Sequence, residues 1–109
     1  MIPNIDNLRI DPKAAKAAFD EAVARVGRAQ SHPQAKSLNF RRLVALDRLP
    51  SFASLPNITI LRLGNTAVYN FESVTELQNL ERLSINSTYV EDLGFLTGLP
   101  KLKHLALNN

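Results

Sequence analysis

Cysteine is absent from the 109-residue chain. Disulfides, thiolate metal sites and a cysteine nucleophile are therefore excluded. No apolar run approaches the roughly 18 residues that cross a bilayer. The opening MIPNIDNLRIDPK has two acids and no apolar core, so it does not read as a secretory signal. These lacks favour a reducing, cytoplasmic setting. Nucleotide and catalytic signatures are missing too, among them G-x-G-x-x-G, the P-loop, G-x-S-x-G and H-E-x-x-H. His32 and His104 supply the chain's imidazoles, far apart and with no Asp or Glu beside either. Two histidines without a carboxylate partner make neither a zinc site nor a catalytic dyad. Glu76, Glu81, Glu91 and Asp92 are spread over loops and read as solvated charges. The expectation is a protein with no catalytic residues, no metal and no cofactor.

What is present is ordinary in bulk. Hydrophobic residues make up 45% and charged residues 21%, which suits one small globular domain. Charge is uneven: residues 1–50 carry nine Lys/Arg against five Asp/Glu, and residues 51–109 four against five. The net +3 serves solubility and falls short of a concentrated basic face. Arg41 and Arg42, with Arg48 nearby, form the densest basic cluster and read as a solvated edge rather than a phosphate or acidic-partner contact. Nucleic acid and membrane are not the expected partners.

The dominant signal is a repeat. Leu55, Ile58, Leu61, Leu63, Thr66, Val68, Phe71 and Val74 recur 22 residues later as Leu77, Leu80, Leu83, Ile85, Thr88, Val90, Leu93 and Leu96. A further step gives Leu99, Leu102, Leu105 and Leu107. All 18 apolar positions of this template are apolar, and its polar position is threonine both times. Leu46, Leu49, Phe52 and Leu55 continue the series upstream. The preceding strand, Leu38-Asn39-Phe40, needs one extra residue before Leu46, so the first repeat is irregular.

This pattern resembles the leucine-rich repeat family, in the 22-residue internalin-like class common in bacterial proteins. The resemblance implies an α/β fold: a short solenoid of about four repeats, with parallel strands on its concave face and an N-terminal helical cap. In each repeat the x-L-x-L segment forms a short strand whose leucines point inward and whose alternate residues point out. No repeat buries its apolar side alone, so stacking makes one continuous core. Thr66 and Thr88 stand where the family has Asn, and a threonine hydroxyl performs part of that turn-satisfying role.

The spacing places the cap in residues 1–35 and the repeats in 36–109. Asp11-Pro12 is a helix start, with Asp as N-cap and Pro at the first helical position. Ala15, Phe19, Ala22, Val23 and Val26 follow at helical spacing, and Phe19 and Val23 are expected to pack on the first repeat. Ser31-His32-Pro33 closes the helix. Gly64, Gly94 and Gly98 fall in repeat turns, where a small residue suits the bend.

Outward strand positions form three rows: Ile60, Arg82 and His104; Arg62, Ser84 and Ala106; Gly64, Asn86 and Asn108. Of these, Ile60, Arg62, Arg82, Ser84, Asn86, His104, Ala106 and Asn108 are the candidate partner-binding residues, because Arg-rich faces of such stacks suit protein recognition. The function read from this is a non-enzymatic protein-binding module. Its alternatives are an inhibitor or immunity-type protein blocking one enzyme, and the repeat portion of a larger bacterial effector. The strand around His104–Leu107 carries no charged or proline gatekeeper, which predicts that its edge is covered by a second copy in a homodimer, by a partner or by a further domain.

Overall fold

The start signal acts as expected. In the computed structural model, which describes residues 11–107, Asp11 caps helix α1 (Pro12–Gln30) by accepting a hydrogen bond at Oδ1 from Lys13 N at 3.1 Å. Proline at the first turn costs no helical hydrogen bond. Ser31 ends the helix, its N–H donating to the Gly27 carbonyl (3.2 Å) and that of His32 to the Ala29 carbonyl (3.1 Å).

The buried face of α1 is an alanine stripe: Ala15, Ala18, Ala22 and Val26. Ala18, Ala22 and Val26 share one buried cluster with Leu38, Phe40 and Leu46 of the following segment. Here the sequence expectation needs correction. Phe19 is half-buried against that cluster, while Val23 is 46% exposed. At about 100° per residue, position 23 lies some ~80° round the helix from Ala15, on the flank of the stripe rather than in it. The outer face is laced by ion pairs, Lys16–Asp20 at 2.8 Å and Arg25–Glu21 at 2.8 Å. Hydrogen bonds from Arg25, and then from Arg28, hold the Glu21 carboxyl below the usual carboxylate range. Arg25 also donates from Nη1 to the Asn39 carbonyl at 2.7 Å, tying α1 to the first strand.

Four three-residue strands follow: β1 (Ser37–Asn39), β2 (Ile60–Arg62), β3 (Arg82–Ser84) and β4 (His104–Ala106). They form one parallel sheet in sequence order. The central leucines align as Leu38, Leu61, Leu83 and Leu105. The spacing is therefore 23 residues once and 22 twice, as the extra residue before Leu46 requires. Leu61, Leu63, Leu80, Leu83 and Ile85 are almost wholly buried. Two 3-10 helices, Glu72–Glu76 and Gly94–Gly98, occupy equivalent places in the return segments. Each is started by a side chain two residues ahead, Asn70 Oδ1 accepting from Glu72 N (3.0 Å) and Asp92 Oδ1 from Gly94 N (2.8 Å).

The threonines perform the role assigned to them. Thr66 Oγ1 donates to the Leu63 carbonyl and Thr88 Oγ1 to the Ile85 carbonyl, both at 2.9 Å. Cross-repeat amide bonds add support on the return side: Asn57 Nδ2 donates to the Pro33 carbonyl (3.0 Å) and Asn79 Nδ2 to the Pro56 carbonyl (2.6 Å). Glu76 is not a free solvated charge, since its carboxylate accepts from Phe52 N at 2.8 Å and from Ser51 Oγ.

The turns after β1, β2 and β3 share one backbone feature. Gly64 does not take a left-handed conformation. The positive φ falls one residue later, on Arg42 (69°), Asn65 (60°) and Ser87 (56°). Asparagine tolerates this region, whereas serine and arginine are strained there. Ser87→Gly is expected to raise stability by about 0.5–1 kcal/mol, the strain relieved less the entropy of a freer unfolded chain. Thermal unfolding followed by circular dichroism checks this, and a fall in melting temperature would count against it.

Candidate protein-binding face

On one face of the sheet the outward residues stand in register. Ile60 lies opposite Arg82, and Arg82 opposite His104; Arg62 lies opposite Ser84, and Ser84 opposite Ala106. Arg62, Arg82 and His104 are exposed, whereas Ile60, Ser84 and Ala106 are half-buried. All six border a shallow depression of about 220 Å³ with Leu61, Leu83 and Leu105. Two predicted rows are thereby brought together.

The third row fares differently. Gly64 is buried, and Asn86 is half-buried with Nδ2 donating to Ser84 Oγ at 3.3 Å. Asn108 lies outside the described residues. Sequence reasoning missed the start of the rows: Ser37 pairs with Ile60 and Asn39 with Arg62, and both are exposed. Extending the rows upstream by the irregular 23-residue step would have found them.

Arg41 belongs beside this face, its Cγ 3.9 Å from where a Gly64 Cβ would stand. Arg48 does not join Arg41 and Arg42. It pairs with Asp47 at 3.3 Å and borders a hollow beside Pro12, Ala15 and Phe19 of α1. Val44, Tyr69 and Tyr89, exposed by 67%, 64% and 50%, stand on the turns that follow the strands. Backbone bonds from Ala67 N to the Leu46 carbonyl and from Tyr89 N to the Val68 carbonyl stack those turns. The apolar template gave no sign of them because they fall outside it.

The ion pairs are unevenly placed. Arg25 and Arg28 share Glu21, Arg48 meets Asp47, and Lys103 meets Glu81 at 3.7 Å. Among the described residues, Arg41, Arg42, Arg62 and Arg82 have no side-chain hydrogen bond or ion pair. Also among the described residues, no three His, Cys, Asp or Glu are grouped to hold a metal ion, and no helix is long and apolar enough to cross a membrane.

A parallel sheet of short strands at a near-constant period, fronted by an exposed polar face, defines a repeat protein of α/β type. An internalin from Listeria monocytogenes has a similar fold, with a TM-score of 0.64 at 22% sequence identity over 72% of this chain. The match covers 23% of the internalin's own length. No protein-family profile and no curated protein matches the chain.

Proposed function

We propose that the chain is a leucine-rich repeat solenoid of the 22-residue internalin-like class, a non-enzymatic module that holds a partner protein against the concave face of its strands. The observation that carries this reading is the register of the outward rows. Ile60, Arg62, Arg82, Ser84, His104 and Ala106 are presented together on one face while Leu61 and Leu83 between them are packed inside. Stacked repeats display extended faces of this kind, and arginine is a favoured anchor in protein recognition. In this reading residues 1–35 cap the first repeat and residues 36–109 are the repeats. The coverage of only 23% of the internalin suits the repeat portion of a larger bacterial effector as well as a free-standing module.

The test is a paired charge reversal. Arg62→Glu with Arg82→Glu is expected to lower affinity for a captured partner about tenfold or more. Both side chains are exposed, so the melting temperature should barely move. Unchanged affinity would sink the reading.

A second reading concerns the far edge of the sheet. Leu105 is 37% exposed and Leu93 39%, whereas their counterparts Leu83 and Phe71 are buried. Leu96, Leu102 and Leu107 are only half-buried, although Leu99 is packed inside. Among the described residues β4 pairs on one side alone. An open edge of this kind is a template for another strand. The reading is a twofold dimer in which β4 meets β4 of a second copy. Light scattering across a concentration series should show a mass rising toward twice that of the chain, and a constant single-chain mass would reject it.

A further inference from the structure

The face proposed above carries charge of one sign only. Its outward strand residues are Ser37, Asn39, Ile60, Arg62, Arg82, Ser84, His104 and Ala106, with no carboxylate among them. Glu81, just ahead of β3, already meets Lys103. Elsewhere arginines are neutralised within the chain, as Arg25, Arg28 and Arg48 show. On this face and its following turn they are not, since the side chains of Arg41, Arg42, Arg62 and Arg82 have no hydrogen-bond or ion-pair partner among the described residues. Among the described residues, the unpaired arginines thus lie in the strand rows or in the turn that follows β1.

From this distribution, and resting on the concave-face reading, we propose that the partner presents an acidic, extended protein segment, with two carboxylates two residues apart that meet Arg62 and Arg82. Arg82 lies opposite Ile60, so Arg62 and Arg82 are diagonal neighbours on adjacent strands. With neighbouring parallel strands about 4.8 Å apart and alternate residues about 6.6 Å along each, such diagonal positions lie about 8 Å apart. Alternate side chains on one side of an extended chain are spaced about 6.6–6.8 Å, so two carboxylates at i and i+2 match the pair. Guanidinium forks bind carboxylates bidentately, which fixes register as well as adding energy. Between the two arginines, half-buried Ile60 and Ser84 offer an apolar contact and a hydroxyl.

A protein segment fits this face better than the other anionic macromolecules. Single-stranded nucleic acid is held by aromatic platforms along a basic groove, and the strand rows hold no Phe, Tyr or Trp, only the imidazole of His104. An anionic membrane draws clusters of several adjacent cations, whereas the two arginines of the strand rows flank an apolar centre, and Arg41 and Arg42 belong to the turn that follows β1.

The test uses the full chain and a randomised linear peptide library as the probe. Selected peptides are expected to carry Asp or Glu at i and i+2. Their affinity should fall about tenfold or more on Arg62→Gln with Arg82→Gln, on neutralising the peptide's two acids, and on raising NaCl from about 50 to about 500 mM. An anionic vesicle or an oligo-dT strand should not displace them. The proposal is overturned if no peptide is enriched, if the enriched peptides lack the acid pair, if the glutamine variant binds within about twofold of the unchanged chain, or if oligo-dT or phosphatidylserine vesicles displace the peptide. A separate steric variant, Ser84→Phe, distinguishes the two levels. If it blocks peptides that the glutamine variant still binds, the acidic segment is wrong and the concave-face reading stands. If neither variant alters binding, both fail.

Discussion

Phe52→Ala is expected to cost about 3–5 kcal/mol of unfolding free energy, the range for an emptied aromatic core site. Phe52 is wholly buried and stacks on Phe40, itself wholly buried, with ring centroids 6.1 Å apart and planes inclined by 20°. The equivalent positions one repeat on are Leu63 for Phe40 and Val74 for Phe52. The first repeat thus fills with two rings the space that the next fills with smaller aliphatic side chains. The cost is large because the site is closed on every side. The backbone of Phe52 is fixed by Glu76 of the next repeat, leaving little freedom to collapse into the void. A small domain of 5–15 kcal/mol total stability would lose a large share of it. Urea unfolding should show a lower midpoint at unchanged slope. A loss below ~1.5 kcal/mol would mean that the pair is dispensable and the irregular repeat is held by its neighbours.

The contrast between this site and the rest of the molecule shows which features a sequence exposes. The strands were legible because a near-fixed period multiplies a weak local signal: three residues around Leu83 say little alone, but Leu61, Leu83 and Leu105 in register say a great deal. The threonine turns were legible for the same reason, and Thr66 and Thr88 make the same bond. Features that depend on contacts across repeats were not. Nothing near Glu76 indicates that its carboxylate serves an amide 24 residues away. The left-handed turn positions went unread because the residues there are Arg42, Asn65 and Ser87, while the eye goes to Gly64 beside them. Of the candidate face, the residue identities were visible, but its most informative property was not. Whether a cation is paired depends on where the acids fold: Lys103 meets Glu81, 22 residues away, and nothing beside Lys103 in the sequence announces it.

Ala22→Glu is expected to remove most of the stability of the chain, and it tests whether α1 is part of the stack or an appendage. Ala22 has no exposed surface and lies in one cluster with Ala18, Val26, Leu38 and Phe40. The small side chains of this stripe let the helix seat directly on the first repeat. A glutamate there adds volume at a position with no exposed surface and places a carboxylate in a cluster that, among the described residues, is wholly apolar. Arg25, close by on the same helix, already serves Glu21 and the Asn39 carbonyl. An unpaired buried charge costs about 3–5 kcal/mol, and relief by lifting the helix away would expose Leu38 and Phe40, which are now at most 5% exposed. Either route destabilises the repeats along with the helix. Ala14→Glu is the control, since Ala14 is exposed on the same helix and a surface change of this kind stays within about 0.5 kcal/mol. If α1 closes the first repeat as proposed, the Ala22 variant unfolds in a single transition at a much lower urea concentration, and the Ala14 variant does not. If instead the Ala22 variant loses helical signal early while the remaining transition keeps its midpoint, the helix is an appendage and the repeats stand without it.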